Sequence, residues 1–177
     1  MLFFYISVEY AIVGWLVSYF QDTGILSADY SQMMNSLLWL VIFCGRMIGA
    51  AITGKVSRAG ILLVDGIGFF ACFLLMFFSR TPVPIVLGLM GVGLFMATIY
   101  PTAFAFGSDC IRGNDLGCSI MIFTGSAGGI ITPFLVGQVA ERSGIRAGMG
   151  LVAVFTALLL LSIVLSVLST KMENKGA

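Results

Sequence analysis

Six stretches of this chain run on in apolar residues for about the thickness of a bilayer: 2–20, 32–53, 61–78, 83–107, 116–139 and 148–169, parted by short polar turns. A helix needs about 20 such residues to cross a hydrocarbon core of about 30 Å. The strands of a membrane barrel would instead alternate apolar with polar residues over about ten positions. The expectation is an all-α membrane protein of six transmembrane helices. Composition agrees, since 10% of the 177 residues are charged, against roughly 25% in a soluble domain. The first run is not expected to be a cleaved signal peptide, because no basic segment leads it and Glu9 sits in its middle.

The same residues exclude several kinds of chemistry. The chain has no histidine, and so lacks the commonest metal ligand and the usual base at neutral pH. Cys44, Cys72, Cys110 and Cys118 show no C-x-x-C spacing and read as small packing residues. TGSAGG at 124–129 superficially resembles the serine loop of intramembrane proteases, which need a histidine that this chain lacks. GLMGVG at 88–93 lies within a span with no strand before it, which does not support nucleotide binding. A net charge of +1 gives no reason to expect a nucleic-acid partner. No enzyme, metal or cofactor is implied.

Orientation follows from the basic residues of the short loops. With the first helix starting in the cytoplasm, the inner side receives Lys55, Arg58, Arg112, Lys171 and Lys175, with Arg46 close by, and the outer side Arg80, Arg142 and Arg146. The loop at 21–31 carries only Asp22 and Asp29. The sequence therefore predicts both termini in the cytoplasm, a bundle over 1–170 and a short cytoplasmic tail at 171–177, in the plasma (inner) membrane.

Scarce polar groups mark candidate sites. A carboxylate near a helix centre costs on the order of 3 kcal/mol to insert, so Glu9 either faces a cavity, where it accepts a hydrogen bond from a sugar hydroxyl, or is a hydrogen-bonded packing acid. Gln32, Asn35 and Trp39 follow i, i+3, i+7 spacing. Two amides and an indole suit a sugar's hydroxyls and its C–H face, although the amides also fit the outer interface and Trp39 can simply fill space. Tyr100 precedes Pro101, which removes a backbone donor and can kink the helix, either beside a substrate path or as a simple packing adjustment. Gly125, Gly129, Pro133 and Gly137, at intervals of four, form one face without bulk, suited to close helix packing that is either mobile or static. Asp65 is expected to pair with Arg46 as a releasable latch, with simple neutralisation at headgroup level as the alternative. The last run is expected to be a lipid-facing support.

One stretch gathers three cations and four glycines, GRMIGAAITGKVSRAG at 45–60, with Gly45 and Gly49 on one helix face and Lys55 and Arg58 in the turn. It resembles the degenerate copy of the loop motif that major facilitator superfamily transporters carry between the second and third helices of each six-helix half. It departs from the fuller pattern in having no acid between Gly49 and Arg58, with Thr53 where one is expected. IYPTAF at 99–104 and GCSIMIFTGSAGGIITPFLVGQVAE at 117–141 resemble helices 10 and 11 of the fucose-permease-like sugar/proton symporters, and VEYAIVGWLVSYF at 8–20 resembles their helix 7. The resemblance implies the carboxy-terminal half of a twelve-helix transporter, with a 3+3 inverted repeat, moving a small polar solute such as a sugar by proton-driven alternating access. It also implies truncation, because the first span begins at once and the acids credited with proton coupling belong largely to the other half. The expected partners are the solute, a proton, the bilayer, and an amino-terminal half or a second copy of the chain. The alternative is a membrane fragment or assembly partner that does not transport.

Overall fold

The computed structural model consists of six helices: α1 (Leu2–Asp22), α2 (Ala28–Ile52), α3 (Arg58–Phe78), α4 (Pro82–Ile111), α5 (Asp115–Ser143) and α6 (Ile145–Gly176). It describes residues 1–111 and 114–176, without the side chains of Cys110, Lys171 and 173–176. Arg112, and the side chains of Cys110, Lys171 and Lys175, thus lie outside the described residues. Every helix contains a window long and apolar enough to cross a membrane.

The helices begin a few residues ahead of their apolar runs because polar side chains start them. Ser27 Oγ accepts from the Tyr30 N–H at 3.5 Å, and Ser57 Oγ from the Gly60 N–H at 3.2 Å. Asn114 Oδ1 accepts from the N–H groups of Leu116 and Gly117 at 3.1 and 3.4 Å. Each bond satisfies a backbone donor that the first turn leaves unpaired. Between α2 and α3 the chain reverses through Gly54 at φ +90°, and between α5 and α6 through the single residue Gly144 at φ +86°. L-residues with a side chain rarely adopt that conformation.

α1 and α4 are the central helices. α4 packs along α3 and α2, α1 packs along α5, and α6 lies against α5, α1 and α3. Exchanging α1, α2 and α3 for α4, α5 and α6 maps nearly every contacting pair onto another contacting pair. Successive spans reverse direction, so the second trio runs opposite to the first, which is the inverted repeat. One pair breaks the correspondence: α5 touches α6, whereas α2 and α3 do not touch.

Burial follows from this plan. Tyr5, Ile12 and Leu16 of α1 and Leu89 and Met96 of α4 are fully enclosed, together with Phe69 and Phe73 of α3. α2 buries only Ser31, Met34, Leu38, Ile42 and Gly45, a single stripe at three- and four-residue steps. α6, expected as a lipid-facing support, buries Met149, Val152, Leu159 and Ile163 and exposes Val154, Leu161 and Leu165 on its other side.

Candidate substrate site

The glycines of the opening motif set how closely α2 approaches α4. A side-chain carbon at Gly45 would lie 2.7 Å from Ala97 Cβ and 3.0 Å from the Leu94 carbonyl. One at Gly49 would run into the Thr98 methyl. Without side chains there, the α2 backbone rests on α4, and the next turn of its exposed face presents Arg46. Lys55 is exposed in the turn, and Arg58 on the first turn of α3 forms an ion pair with Asp109 near the end of α4. No other ion pair joins the described residues.

Glu9 is half-buried on α1, one turn beyond Tyr5. Its carboxylate interacts with the Tyr5 hydroxyl and with the charge of Arg46 across from it on α2. Tyr5 is 1% exposed and donates to the Met96 carbonyl of α4 at 3.0 Å. Its ring lies 5.9 Å from that of Tyr100, which in turn stacks on Phe104 at 6.4 Å. Glu9, Arg46 and Tyr100, picked from three separate segments, are thus brought into one cluster by the crossing of α1, α2 and α4. Tyr5 joins them. Sequence reasoning missed it because a tyrosine within an apolar run gives no sign of where its hydroxyl goes.

Arg46 also lines a cavity of about 770 Å³ between α2 and α4, together with Thr53, Arg58, Pro101 and Thr102. α4 runs unbroken through Pro101. The missing donor there deprives the Ala97 carbonyl of its helical partner.

The stripe of Gln32, Asn35 and Trp39 lies along α2 on the side away from the core. Gln32 is exposed, Trp39 is 47% exposed, and Asn35 is half-buried with an Oδ1 that accepts no hydrogen bond among the described residues. Phe43, at 63% exposure, and Arg46 continue the same face toward the Glu9 cluster.

The pairing of Asp65 with Arg46 expected from the sequence is not the one the structure makes. Asp65 accepts instead from the Thr98 hydroxyl of α4, and no ion pair joins it to Arg46 among the described residues. Antiparallel neighbours were assumed to bring α2 and α3 together, and these two helices do not touch.

The small face of α5 packs against α1. A side-chain carbon at Gly128 would lie 2.5 Å from the Phe3 carbonyl, one at Gly125 2.6 Å from Ile6, and one at Gly129 3.0 Å from Ile6. Gly137 receives the Trp15 ring, whose Nε1 donates to the Pro133 carbonyl at 3.1 Å.

This arrangement was compared with known proteins. The chain aligns with FucP, a major facilitator superfamily transporter in its outward conformation, at a TM-score of 0.79 over 93% of its length and 40% of that chain, with 22% identity. The peptide transporter POT aligns at a TM-score of 0.81 over 93% of the chain and 36% of its own length, with 18% identity. The fold is that of one six-helix half of a major facilitator.

Sequence relatives point the same way. Human major facilitator superfamily domain-containing protein 4A is 24% identical over 112 residues, or 63% of this chain and 22% of that protein. A glucose/galactose transporter of Brucella abortus is 26% identical over 153 residues, 82% of this chain and 35% of its own length. No family model matches the chain. The chain therefore spans between about a fifth and two fifths of the proteins it resembles. The fold expected from the motifs is the one these likenesses share: six helices long and apolar enough to cross a membrane, arranged as in one half of a major facilitator.

Proposed function

We propose that the chain serves as the carboxy-terminal half of a proton-coupled transporter for a small polar solute, most readily a sugar, working by alternating access in the plasma membrane with both termini cytoplasmic. The observation that carries this reading is the half-buried Glu9 carboxylate, set inside a membrane span beside Tyr5, Tyr100 and Arg46. An intramembrane carboxylate is costly and is kept where it faces protein or a water-filled path. Glu9 accepts from a solute hydroxyl and the ring of Tyr100 packs on its C–H face, with Arg46 facing the same place from α2. Gln32, Asn35 and Trp39 extend the path along α2 toward the opposite surface. Likeness to a glucose/galactose transporter supports a sugar as the solute.

Two bundles are needed to enclose a midplane site, so the exposed face of α2 meets an amino-terminal half or a second copy. Gly45, Gly49, Lys55 and Arg58 form the turn that shifts between access states, and the α5 face of Gly125, Gly129, Pro133 and Gly137 lets α1 slide as the halves rock. The test is uptake of labelled glucose, galactose and fucose into proteoliposomes under an inward proton gradient, with the chain alone and with the amino-terminal six-helix half of the same transporter. Flux is expected with both halves present and is expected to fall at least tenfold for Glu9→Gln. Unchanged uptake by that variant would remove Glu9 from the site. A second reading, an assembly partner that does not transport, is favoured by how little of α2 this chain buries by itself; assembly with no flux in any combination would establish it.

A further inference from the structure

The break in the inverted repeat opens a second place where chemistry can occur, away from the Glu9 cluster. α5 and α6 close on each other, but their counterparts α2 and α3 leave a groove between them that is floored by α4. It encloses about 370 Å³. Its walls are hydrocarbon: Ile48 and Ile52 from α2, Val64 from α3 and Phe95 from α4. Into this apolar space project the Asp65 carboxylate and the Thr98 hydroxyl that donates to it. Gly49 fixes that hydroxyl, since the Thr98 methyl fills the room a side chain at position 49 would need, which turns Oγ1 toward Asp65.

Among the described residues Asp65 has no cation. Arg46 lines the adjoining cavity, not this groove, and Arg58 is engaged with Asp109. The groove walls from α2 and α4 contribute no charged side chain, and over Gly66, next to Asp65, α6 packs the apolar Leu160 and Ile163. A carboxylate within a span requires a positive partner or a proton. The partner this groove fits has an ammonium head and a hydrocarbon body.

We propose that the groove between α2 and α3 binds an amphipathic primary amine, with its ammonium on Asp65 and its apolar body along Ile48, Ile52 and Phe95. The ammonium donates to the carboxylate and to the Thr98 oxygen. This inference stands apart from the transport reading and needs no second half of the transporter.

The test uses the whole chain in phosphatidylcholine nanodiscs and dansylcadaverine, a primary amine on an apolar fluorophore, read by energy transfer from Trp15 and Trp39. The expected result is saturable transfer that dodecylamine displaces and dodecanol does not. Asp65→Asn is expected to weaken binding at least tenfold and Thr98→Val severalfold. Should Asp65→Asn fail to give a monodisperse protein, Val64→Phe, which fills the groove and leaves the carboxylate in place, is expected to abolish the saturable component. Equal binding by wild type and the folded variants, equal competition by dodecanol, or no saturable binding at all would overturn the proposal, the last meaning that Asp65 takes a proton only.

Discussion

The indole N–H of Trp15 on α1 donates to the Pro133 carbonyl on α5 across 3.1 Å, while the same ring covers Gly137. One side chain thus bonds to the backbone beside the helix-breaking residue and fills the space that a glycine leaves a turn later. Trp15→Phe deletes the donor and also the far edge of the indole, whose Cζ2 and Cη2 are the atoms nearest Gly137. The expected loss is at least about 1 kcal/mol, the net worth of one hydrogen bond, seen as a lower unfolding midpoint in detergent.

Lower on the same interface the tolerance is smaller. A side-chain carbon at Gly128 would meet the Phe3 carbonyl at 2.5 Å and Ser7 Oγ at 2.6 Å, and backbone cannot step aside as a flexible side-chain tip can. Gly128→Ala is expected to destabilise by about 1–3 kcal/mol, whereas Gly14→Ala, with nothing within 4 Å, is expected to leave stability unchanged. Thermal denaturation of the two variants side by side checks the contrast.

Tyr5→Phe probes the centre of the bundle. The ring is 1% exposed and its hydroxyl donates to the Met96 carbonyl. Removing the donor leaves that carbonyl without its side-chain partner and should cost about 1 kcal/mol. Because the hydroxyl also interacts with Glu9, combining Tyr5→Phe with Glu9→Gln should give a stability change that departs from the sum of the two, as a double-mutant cycle would read.

Arg58 and Asp109 link the start of α3 to the end of α4, with their side chains 49% and 65% exposed. Exposed ion pairs are worth about 0.2–1 kcal/mol and weaken with salt. A double-mutant cycle is expected to return a coupling below about 1 kcal/mol that fades at high salt, and exchanging the two residues should restore it. A coupling of several kcal/mol would mean that the pair is shielded from water.

The six spans were legible because continuous apolarity is a property of each segment by itself. Their ends were less so. Ser27, Ser57 and Asn114 extend the helices into polar residues that a hydropathy reading assigns to loops. Glu9 could be singled out because a lone acid in an apolar run is conspicuous, and Tyr5 lies one turn away on the same helix, but its neighbour Arg46 depends on which helices cross. The expected Asp65–Arg46 pair is not made in this arrangement, for the same reason. It assumed that consecutive helices touch, whereas α2 and α3 meet only through α4. Thr98, the actual partner of Asp65, lies 33 residues away with nothing in its own surroundings to mark it.

The one-residue turn at Gly144 bears on how the protein is made. With a single residue between them, α5 and α6 are expected to enter the bilayer as one hairpin, and a bulky residue at 144, where φ is positive, is expected to lower the yield of inserted protein.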